Sequence, residues 1–364
     1  MYREPANAPD GWSVASAHDV GIDEEKLADL VQKIIDTDPA EKRPDLIHSL
    51  LIARHGKLVL DEYFAGYSRD VPHDLRSASK TFASVELGAL MRQGVPISPS
   101  SRIYSLVAGL GPFANPDPRK SQITLAELMT HTSGLACDDN DDNSPGNESV
   151  LQSQHAETNW WRYTLDLPVV NEPGTRYAYC LAGMNLVGAP LTAAAHTSLP
   201  EIFDRDVARP LQWGLYYWDM MPNGQGYLGG GVFVRPRDFL KLGQAYLNGG
   251  RWNGKRIVDA SWVGESTVSR VAITPATTGL SPDQFQNFYF PGEDGYAWHL
   301  SVLHSPGRNY RAYCAGGNGG QLLIIVPELD MAVVFTGGNY GQGLIWNSWR
   351  DDLLPNQIIP AILN

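Results

Sequence analysis

The sequence has little cysteine, no long apolar run and fewer basic than acidic residues. Its 364 residues include three cysteines, Cys137, Cys180 and Cys314. Their odd number and the absence of C-x-x-C spacing argue against a zinc site or a dense disulfide framework, and at least one thiol must be free in the monomer. No stretch reaches the ~20 apolar residues that a membrane-spanning helix needs. Residues 1–12 lack the basic and apolar regions of a signal peptide, so we expect a soluble chain whose compartment the sequence does not assign.

The charge balance and the missing motifs exclude several classes of partner. Lys and Arg number 28 against 40 Asp and Glu, which gives a formal net charge of -12. Nucleic acids and anionic membrane surfaces require a basic face, so neither is expected as a partner. A G-x-S-x-G elbow, an H-E-x-x-H pair and a Walker loop are all absent. We therefore expect no cofactor, no metal and a small-molecule partner, and the oligomeric state stays open.

The apolar pattern predicts an α+β fold in which both ends of the chain build one antiparallel β-sheet. Asp23 is expected to cap a helix with apolar residues at helical spacing, namely Leu27, Leu30, Val31, Ile34 and Ile35. Two early strands are predicted on either side of a His55-Gly56-Lys57 turn, at residues 49–54 and 58–64. Three late strands are predicted at residues 311–314, 321–326 and 331–336, followed by a closing helix over 344–354.

The middle of the chain is rich in Pro and Gly and mainly helical in pattern. A chain of this length normally divides into two lobes. We predict a discontinuous sheet domain of residues 1–92 and 226–364, an inserted helical domain of residues 93–225, and an active site between them. Inside the insertion we expect a short helix over 123–130. The acidic loop 138–148 is interpreted as a solvated rim rather than a calcium site, because it lacks EF-hand spacing.

Ser77 and Lys80 form an S-x-x-K motif at the start of a helix predicted to run to about Arg92. Residues three apart on a helix share one face, so the amine can reach the hydroxyl. A serine hydroxyl is a weak nucleophile until a base takes its proton, and a lysine amine serves when it is desolvated or lies near another cation. The helix start also offers the backbone N–H of Ser77 to an oxyanion. The alternative is a chance tetrapeptide in which Ser77 is only an N-cap.

Further segments in the expected order resemble the serine β-lactamase and penicillin-binding-protein superfamily. The likeness is greatest to its class C-like branch, which includes family VIII carboxylesterases and D-aminopeptidases. Ser77-Ala78-Ser79-Lys80 matches the first motif. Residues 173–186, PGTRYAYCLAGMNL, resemble the second motif region, and residues 315–321, AGGNGGQ, resemble the third. The series is completed by HTSGL at 131–135 and TGGNY at 336–340, so the likeness runs from about Asp23 to the C-terminus.

The resemblance implies roles for two residues outside the first motif. Tyr179 takes the place of the tyrosine that relays protons between the nucleophile, the lysine and the leaving group. The backbone N–H of Asn318 would complete an oxyanion hole with that of Ser77. The alternatives are an aromatic core position for Tyr179 and a simple tight turn for the glycine run after Ala315.

The chain departs from the family pattern where substrates are recognised. Leu181 stands where the second motif usually ends in Asn, and Ala315 stands where the third usually begins with Lys or His. β-Lactams and D-Ala-D-Ala stems carry the amide and carboxylate that those groups contact, so their loss favours neutral esters. We expect a pocket of apolar, aromatic and glycine residues: Leu181, Met184, Trp213, Tyr217, Tyr227, Trp298, Tyr340, Ala315, Gly316 and Gly317.

Two of the cysteines would border the active site of such a fold. Cys137 follows the HTSGL segment, and Cys180 adjoins Tyr179. A bridge between them would tie the helical domain to the catalytic tyrosine. Three buried thiols are the alternative.

The leading functional hypothesis is a carboxylesterase-like serine hydrolase with an acyl-enzyme on Ser77. An amidase, a D-aminopeptidase or a weak β-lactamase of the same family is the nearest alternative. A non-catalytic ligand-binding or sensor domain is the alternative from another class, and the complete set of Ser77, Lys80 and Tyr179 argues against it.

Overall fold

Strands from both ends of the chain form one nine-stranded sheet in the computed structural model, which describes residues 2–363. The strands are β1 (Ser13–Val14), β2 (Ile47–Arg54), β3 (Lys57–Tyr63), β4 (Val271–Ile273), β5 (Gly292–Asp294), β6 (His299–Ser305), β7 (Arg308–Gly317), β8 (Gln321–Val326) and β9 (Met331–Gly337). Their order across the sheet is β1-β3-β2-β9-β8-β7-β6-β5-β4. Only β1 and β3 pair in parallel. The predicted α+β class with a largely antiparallel sheet is confirmed.

Helices cover both faces of this sheet, and shorter ones fill the middle of the chain. The α-helices are Glu24–Ile35, Thr81–Arg92, Ile103–Leu106, Leu125–Met129, Glu148–Ser153, Trp160–Asp166, Leu181–Leu186, Gly188–Ala195, Leu199–Phe203, Pro236–Leu247, Ala260–Ser266, Pro275–Thr278, Pro282–Phe288 and Gly343–Ser348. Small separate sheets form from His73–Asp74, Tyr216–Trp218 and Val232–Val234, and from Arg251–Trp252 and Lys255–Arg256. Within residues 2–363, no helix is both long and apolar enough to cross a bilayer. The domain boundaries at residues 92 and 226 stay a prediction.

The central strands are buried on both faces because two hydrophobic clusters enclose them. Leu50 and Ile52 of β2 face a cluster that includes helix Glu24–Ile35 and the C-terminal segment. Their neighbours Leu51 and Ala53 face the opposite cluster, which contains helices Thr81–Arg92 and Pro236–Leu247. Successive side chains of a strand alternate between faces, so a strand covered on both sides is apolar throughout.

The first helix and the first hairpin form nearly as predicted. The Asp23 carboxylate accepts the backbone N–H groups of Glu25 and Lys26, which caps the helix. The apolar residues of this helix were expected to form one buried face, but Ile35 is 56% exposed, so this prediction is wrong for Ile35. At 3.6 residues per turn it is rotated about 80° from Leu27.

The turn of the hairpin contains two residues rather than three. His55 and Gly56 have φ values of 50° and 73°, whereas Lys57 already pairs with Arg54 as the first residue of β3. Positive φ at both central positions matches the twist of antiparallel strands, which favours such short turns.

Several predicted elements have different limits in the structure. Strand β7 extends from Arg308 to Gly317 rather than over 311–314, and β4, β5 and β6 were not predicted. The helix expected over 123–130 covers Leu125–Met129. The helix expected over 344–354 is α-helical over Gly343–Ser348 and π-helical over Trp349–Ile358, where Pro355 removes one backbone donor.

A disulfide joins Cys137 to Cys180, and Cys314 is a buried free cysteine. The two Cα atoms lie 5.3 Å apart, and 43 positions separate the residues along the chain. The bridge predicted between the segments beside the active site is therefore present. It closes a long loop within the mainly helical part of the chain.

Glu86 is a buried acid in the helix that follows the S-x-x-K motif. It is 0% exposed, and neither carboxyl oxygen has a hydrogen-bond partner within the described residues. Burial, with a smaller contribution from Asp206, raises the pKa of Glu86 well above 4.5. The folded state therefore favours the neutral acid.

We predict that thiol titration distinguishes the bridged from the unbridged chain. The denatured, unreduced protein should expose one reactive thiol and the reduced protein three. A bridge closing a loop of this length stabilises the fold by about 4 kcal/mol in the chain-entropy view, so the Cys137→Ser/Cys180→Ser double variant should unfold at lower urea. Cys314→Ala is the control that keeps the bridge, and three thiols without reductant would contradict the prediction.

We predict that Glu86→Gln stabilises the protein at alkaline pH. Because the folded-state pKa lies above 4.5, the native state binds more protons than the unfolded state, and wild-type stability falls as pH rises above 4.5. The variant cannot ionise, so its unfolding free energy should exceed that of wild type at pH 8 and differ little at pH 4. Urea unfolding at both pH values tests this, and an equal difference at the two values would exclude it.

Candidate active site

A cavity of about 410 Å³ lies beside the S-x-x-K segment. Most of the sequence-predicted site residues line it, namely Ser77, Lys80, Tyr179, Met184, Trp298, Ala315, Gly316, Gly317 and Asn318. The other predicted pocket residues do not line this cavity. Leu181 is buried against Gly229, and Tyr340 is 47% exposed near the Arg76 guanidinium. The remaining three are Trp213, Tyr217 and Tyr227. The structure thus brings the predicted chemical groups together but not the whole predicted pocket.

Ser77 and Lys80 are in direct contact at the cavity. They lie in a 3₁₀ turn, Arg76–Lys80, which leads into helix Thr81–Arg92. Residues three apart in a 3₁₀ turn stand one above the other, so their side chains point the same way. Lys80 Nζ donates a hydrogen bond to Ser77 Oγ at 2.8 Å, and Lys80 is only 5% exposed. An amine and a hydroxyl so placed can exchange a proton directly.

Distant segments hold this turn in place. The hydroxyl of Ser79 accepts the backbone N–H of Val232 at 3.1 Å. The hydroxyl of Thr81 donates to the Ala297 carbonyl at 2.8 Å. A β-carbon at Gly317 would overlap the Leu75 carbonyl, so only glycine lets the end of β7 pass so close to the turn that carries Ser77.

The backbone N–H groups of two residues that line the cavity, Ser77 and Asn318, are candidates for an oxyanion hole. Within residues 2–363, neither the N–H of Ser77 nor that of Asn318 donates a hydrogen bond. The side chain of Asn318 is used differently, since its Oδ1 accepts the Gly341 N–H at 2.8 Å. This contact ties the loop after β7 to the segment at Gly341.

Tyr179 lies beside Lys80 in a segment without regular structure. Its ring centre is 5.1 Å from Lys80 Nζ, and its backbone N–H donates to the Tyr289 hydroxyl at 3.3 Å. Its carbonyl accepts the Asp139 N–H at 2.8 Å. The next residue is Cys180, whose disulfide ties this segment to Cys137. The position of Tyr179 therefore depends on contacts with other segments.

Asp139 is a functional candidate that the sequence did not indicate, because its acidic loop suggested a solvated rim. The loop is solvated only in part, since Asp141 to Asn143 are exposed. The Asp139 carboxylate accepts the N–H groups of Leu181 at 2.6 Å and Glu148 at 2.7 Å. Burial raises the pKa of Asp139 to about 6, although the nearby Lys80 ammonium lowers it. Among the described residues, no group of His, Cys, Asp or Glu is arranged to hold a metal ion.

Arg350 is a second residue that the sequence did not indicate. Ala315, in the position expected for a cation, is buried in β7, and Arg350 from the C-terminal segment lines the same cavity. Its guanidinium makes a paired contact with Asp351, with Nε–Oδ1 at 2.6 Å and Nη2–Oδ2 at 2.7 Å. The cavity therefore contains a cation whose charge is already balanced.

The chain is similar to known proteins in sequence and in fold. A curated relative, the 6-aminohexanoate-dimer hydrolase of Paenarthrobacter ureafaciens, is 26% identical over 334 residues, which are 85% of this chain and 75% of that protein. A family VIII carboxylesterase structure matches with a TM-score of 0.62 at 18% identity, over 95% of this chain and 98% of that one. EstCE1, a hydrolase with promiscuous acyltransferase activity, matches with a TM-score of 0.67 at 17% identity, over 93% and 99%.

The family assignment depends on a match to most of the chain. The family model described as beta-lactamase matches residues 32–341, which include the nucleophile turn, the tyrosine segment and the end of β7. The protein therefore belongs to the β-lactamase family of serine hydrolases.

Proposed function

We propose that the protein cleaves carboxylic esters through an acyl-enzyme on Ser77. The observation that carries this proposal is the 2.8 Å hydrogen bond between Lys80 Nζ and Ser77 Oγ at the wall of a cavity. A buried amine in that position can take the hydroxyl proton as the oxygen attacks a carbonyl carbon.

The proposed reaction has two halves that use the same groups. In the first, Ser77 Oγ bonds to the carbonyl carbon, its proton passes to Lys80, and the N–H groups of Ser77 and Asn318 stabilise the oxyanion. The C–O bond to the alcohol then breaks, and the alcohol leaves with a proton relayed through Tyr179. In the second half, water gives its proton to the same pair of bases and attacks the acyl carbon, which releases the acid and restores Ser77.

The cavity supports a neutral, partly apolar substrate. Its walls include Met129, Ile273 and Trp298, and the half-exposed rings of Phe288 and Phe290 lie at its surface. Without Lys or His at position 315 and without Asn at position 181, the groups that would bind a β-lactam's carboxylate and amide are missing. A neutral ester loses less from these changes, because it has no charged group left unpaired.

We also propose that the cavity lies between the two domains predicted from the sequence. One wall comes from residues 129–184, and the others come from the nucleophile turn and from residues 273–350. A site at a domain boundary can change its substrate through the inserted segment while the sheet keeps the nucleophile in place.

An amide hydrolase is the second candidate, favoured by the relative that is named for its action on the 6-aminohexanoate dimer. An amine leaves less readily than an alcohol and must be protonated as the C–N bond breaks. The same Tyr179 and Lys80 would have to supply that proton efficiently. A non-catalytic ligand-binding or sensor domain is the candidate from another class, and failure of a fluorophosphonate or a boronate to label or inhibit the folded protein would support it.

We predict that Ser77 forms the covalent adduct. A fluorophosphonate should label the Ser77 peptide, and p-nitrophenyl acetate should give a rapid initial release of p-nitrophenolate. Ser77→Ala should abolish both and lower kcat/KM by about 1,000-fold or more. The matched control is Ser84→Ala in the following helix, because the Ser84 hydroxyl is buried and has no hydrogen-bond partner among residues 2–363. Its loss should leave the initial release intact. A label on another side chain would refute the assignment.

We predict that esters are better substrates than amides. The kcat/KM for p-nitrophenyl acetate should exceed that for a D-alanine p-nitroanilide by at least about 100-fold. Steady-state kinetics with both substrates test this, and Ser77→Ala measures the background for each. A preference for the anilide would replace the ester assignment with the amide one and leave the acyl-enzyme mechanism standing.

A further inference from the structure

His131 contacts the catalytic tyrosine's segment on both sides of Tyr179. Its carbonyl accepts the N–H of Ala178 at 2.9 Å, and its Nδ1 accepts the N–H of Cys180 at 3.1 Å. Its ring centre lies 4.7 Å from that of Tyr179. One residue therefore binds the backbone before and after the tyrosine and also packs against its side chain.

The backbone of His131 is held in a conformation that it would not adopt by chance. Its φ is 57°, in the left-handed region that residues other than glycine rarely enter. The residue is 8% exposed and follows helix Leu125–Met129, where its N–H donates to the Leu128 carbonyl. This conformation turns both its carbonyl and its ring toward the tyrosine segment.

The hydrogen bond to Cys180 fixes the state of the imidazole. A backbone N–H can only donate, so Nδ1 must carry a lone pair and the ring proton must lie on Nε2. Burial lowers the pKa of His131 to about 4. The negative charge of Asp294 in β5 raises this pKa, and the positive charge of Lys80 lowers it. The other titratable groups facing the ring are the phenols of Tyr177 and Tyr179. The imidazole is therefore neutral at pH 7.

We propose that His131 is a positioning residue whose neutral imidazole holds the ring of Tyr179 beside Lys80, an inference that rests on the role of Tyr179 in the proposed function. Residues 176–180 belong to no helix or strand, so no backbone ladder fixes the tyrosine. The disulfide and Asp139 hold the chain at Cys180 and Leu181. His131 contacts the chain on both sides of Tyr179 and also the tyrosine ring.

The test compares two amides that replace different ring nitrogens. In His131→Asn the side-chain oxygen occupies the place of Nδ1, and Asn tolerates a positive φ. In His131→Gln the polar group lies near the place of Nε2 and cannot accept from Cys180. We expect Asn to keep kcat within about 5-fold of wild type and Gln to lose about 100-fold in kcat, with little change in KM in either. Equal losses in both variants would overturn the proposal.

A double-mutant cycle with Tyr179→Phe separates positioning from a general structural role. If His131 acts through the tyrosine hydroxyl, His131→Gln should cost little further kcat once that hydroxyl is gone. Full additivity of the two losses would overturn the proposal. Fluorophosphonate labelling of Ser77 tests the proposed function separately. Absence of labelling in the wild-type protein would refute the acyl-enzyme without bearing on the contacts of His131.

Nitrogen NMR of the His131 imidazole tests the protonation state of the ring without an activity measurement. The only variant it requires is His131→Asn, in which the His131 signals disappear and are thereby assigned. In wild type, Nδ1 of His131 should resonate as unprotonated and Nε2 as protonated from pH 8 down to pH 5. A midpoint near 6.5, or a proton on Nδ1, would overturn the proposal.

Discussion

The hydrogen bond between the Lys80 amine and the Ser77 hydroxyl is the contact on which the proposed chemistry depends. It requires the ionisable side chain of Lys80 to be buried at 5% exposure. Burial of such a group costs free energy unless hydrogen-bond partners are held in place around it. The turn that carries both residues is therefore tied to two other parts of the chain, through Ser79 to Val232 and through Thr81 to Ala297. The reactive pair is thus a product of the whole fold rather than of its own helix.

Tyr179 presents the opposite problem, because its own segment gives it no regular structure. Its position is set by the loop 131–139, which supplies a disulfide at Cys180, a carboxylate to the N–H of Leu181 and a backbone donor to the Tyr179 carbonyl. The same loop brings Asp139 close enough to Lys80 for the ammonium to influence the carboxyl group. Leu181 removes the polar side chain usual at this place in the family. The Asp139 carboxylate accepts the backbone N–H of Leu181, so a carboxylate lies beside this position although its own side chain is apolar.

The sequence predicted features that depend on residues near one another in the chain. Helical spacing placed Ser77 beside Lys80, and apolar runs with turn residues located β2, β3, β8 and β9. Strand His299–Ser305 was missed although it pairs with its sequence neighbours, because it mixes polar and apolar residues on both faces and so lacks the alternation that marks a half-buried strand. Asp139 and Arg350 could not be assigned from the sequence, since each reaches the site from a distant segment. The Cys137–Cys180 bridge was proposed only through the family resemblance, which supplied the missing three-dimensional proximity.

The residues proposed for the chemistry match the family motifs, whereas two positions proposed for substrate recognition do not. Lys80 donates a hydrogen bond to Ser77 and lies beside the ring of Tyr179. At the recognition positions, Ala315 offers no charge, and the cavity's Arg350 already binds Asp351 in a paired geometry. To bind a substrate carboxylate, that guanidinium would have to exchange one carboxylate for another, which gains little net free energy. An anionic substrate therefore has no net advantage over a neutral one here, while the nucleophile works equally on either. This asymmetry is why the geometry favours an esterase of the β-lactamase family over a β-lactamase.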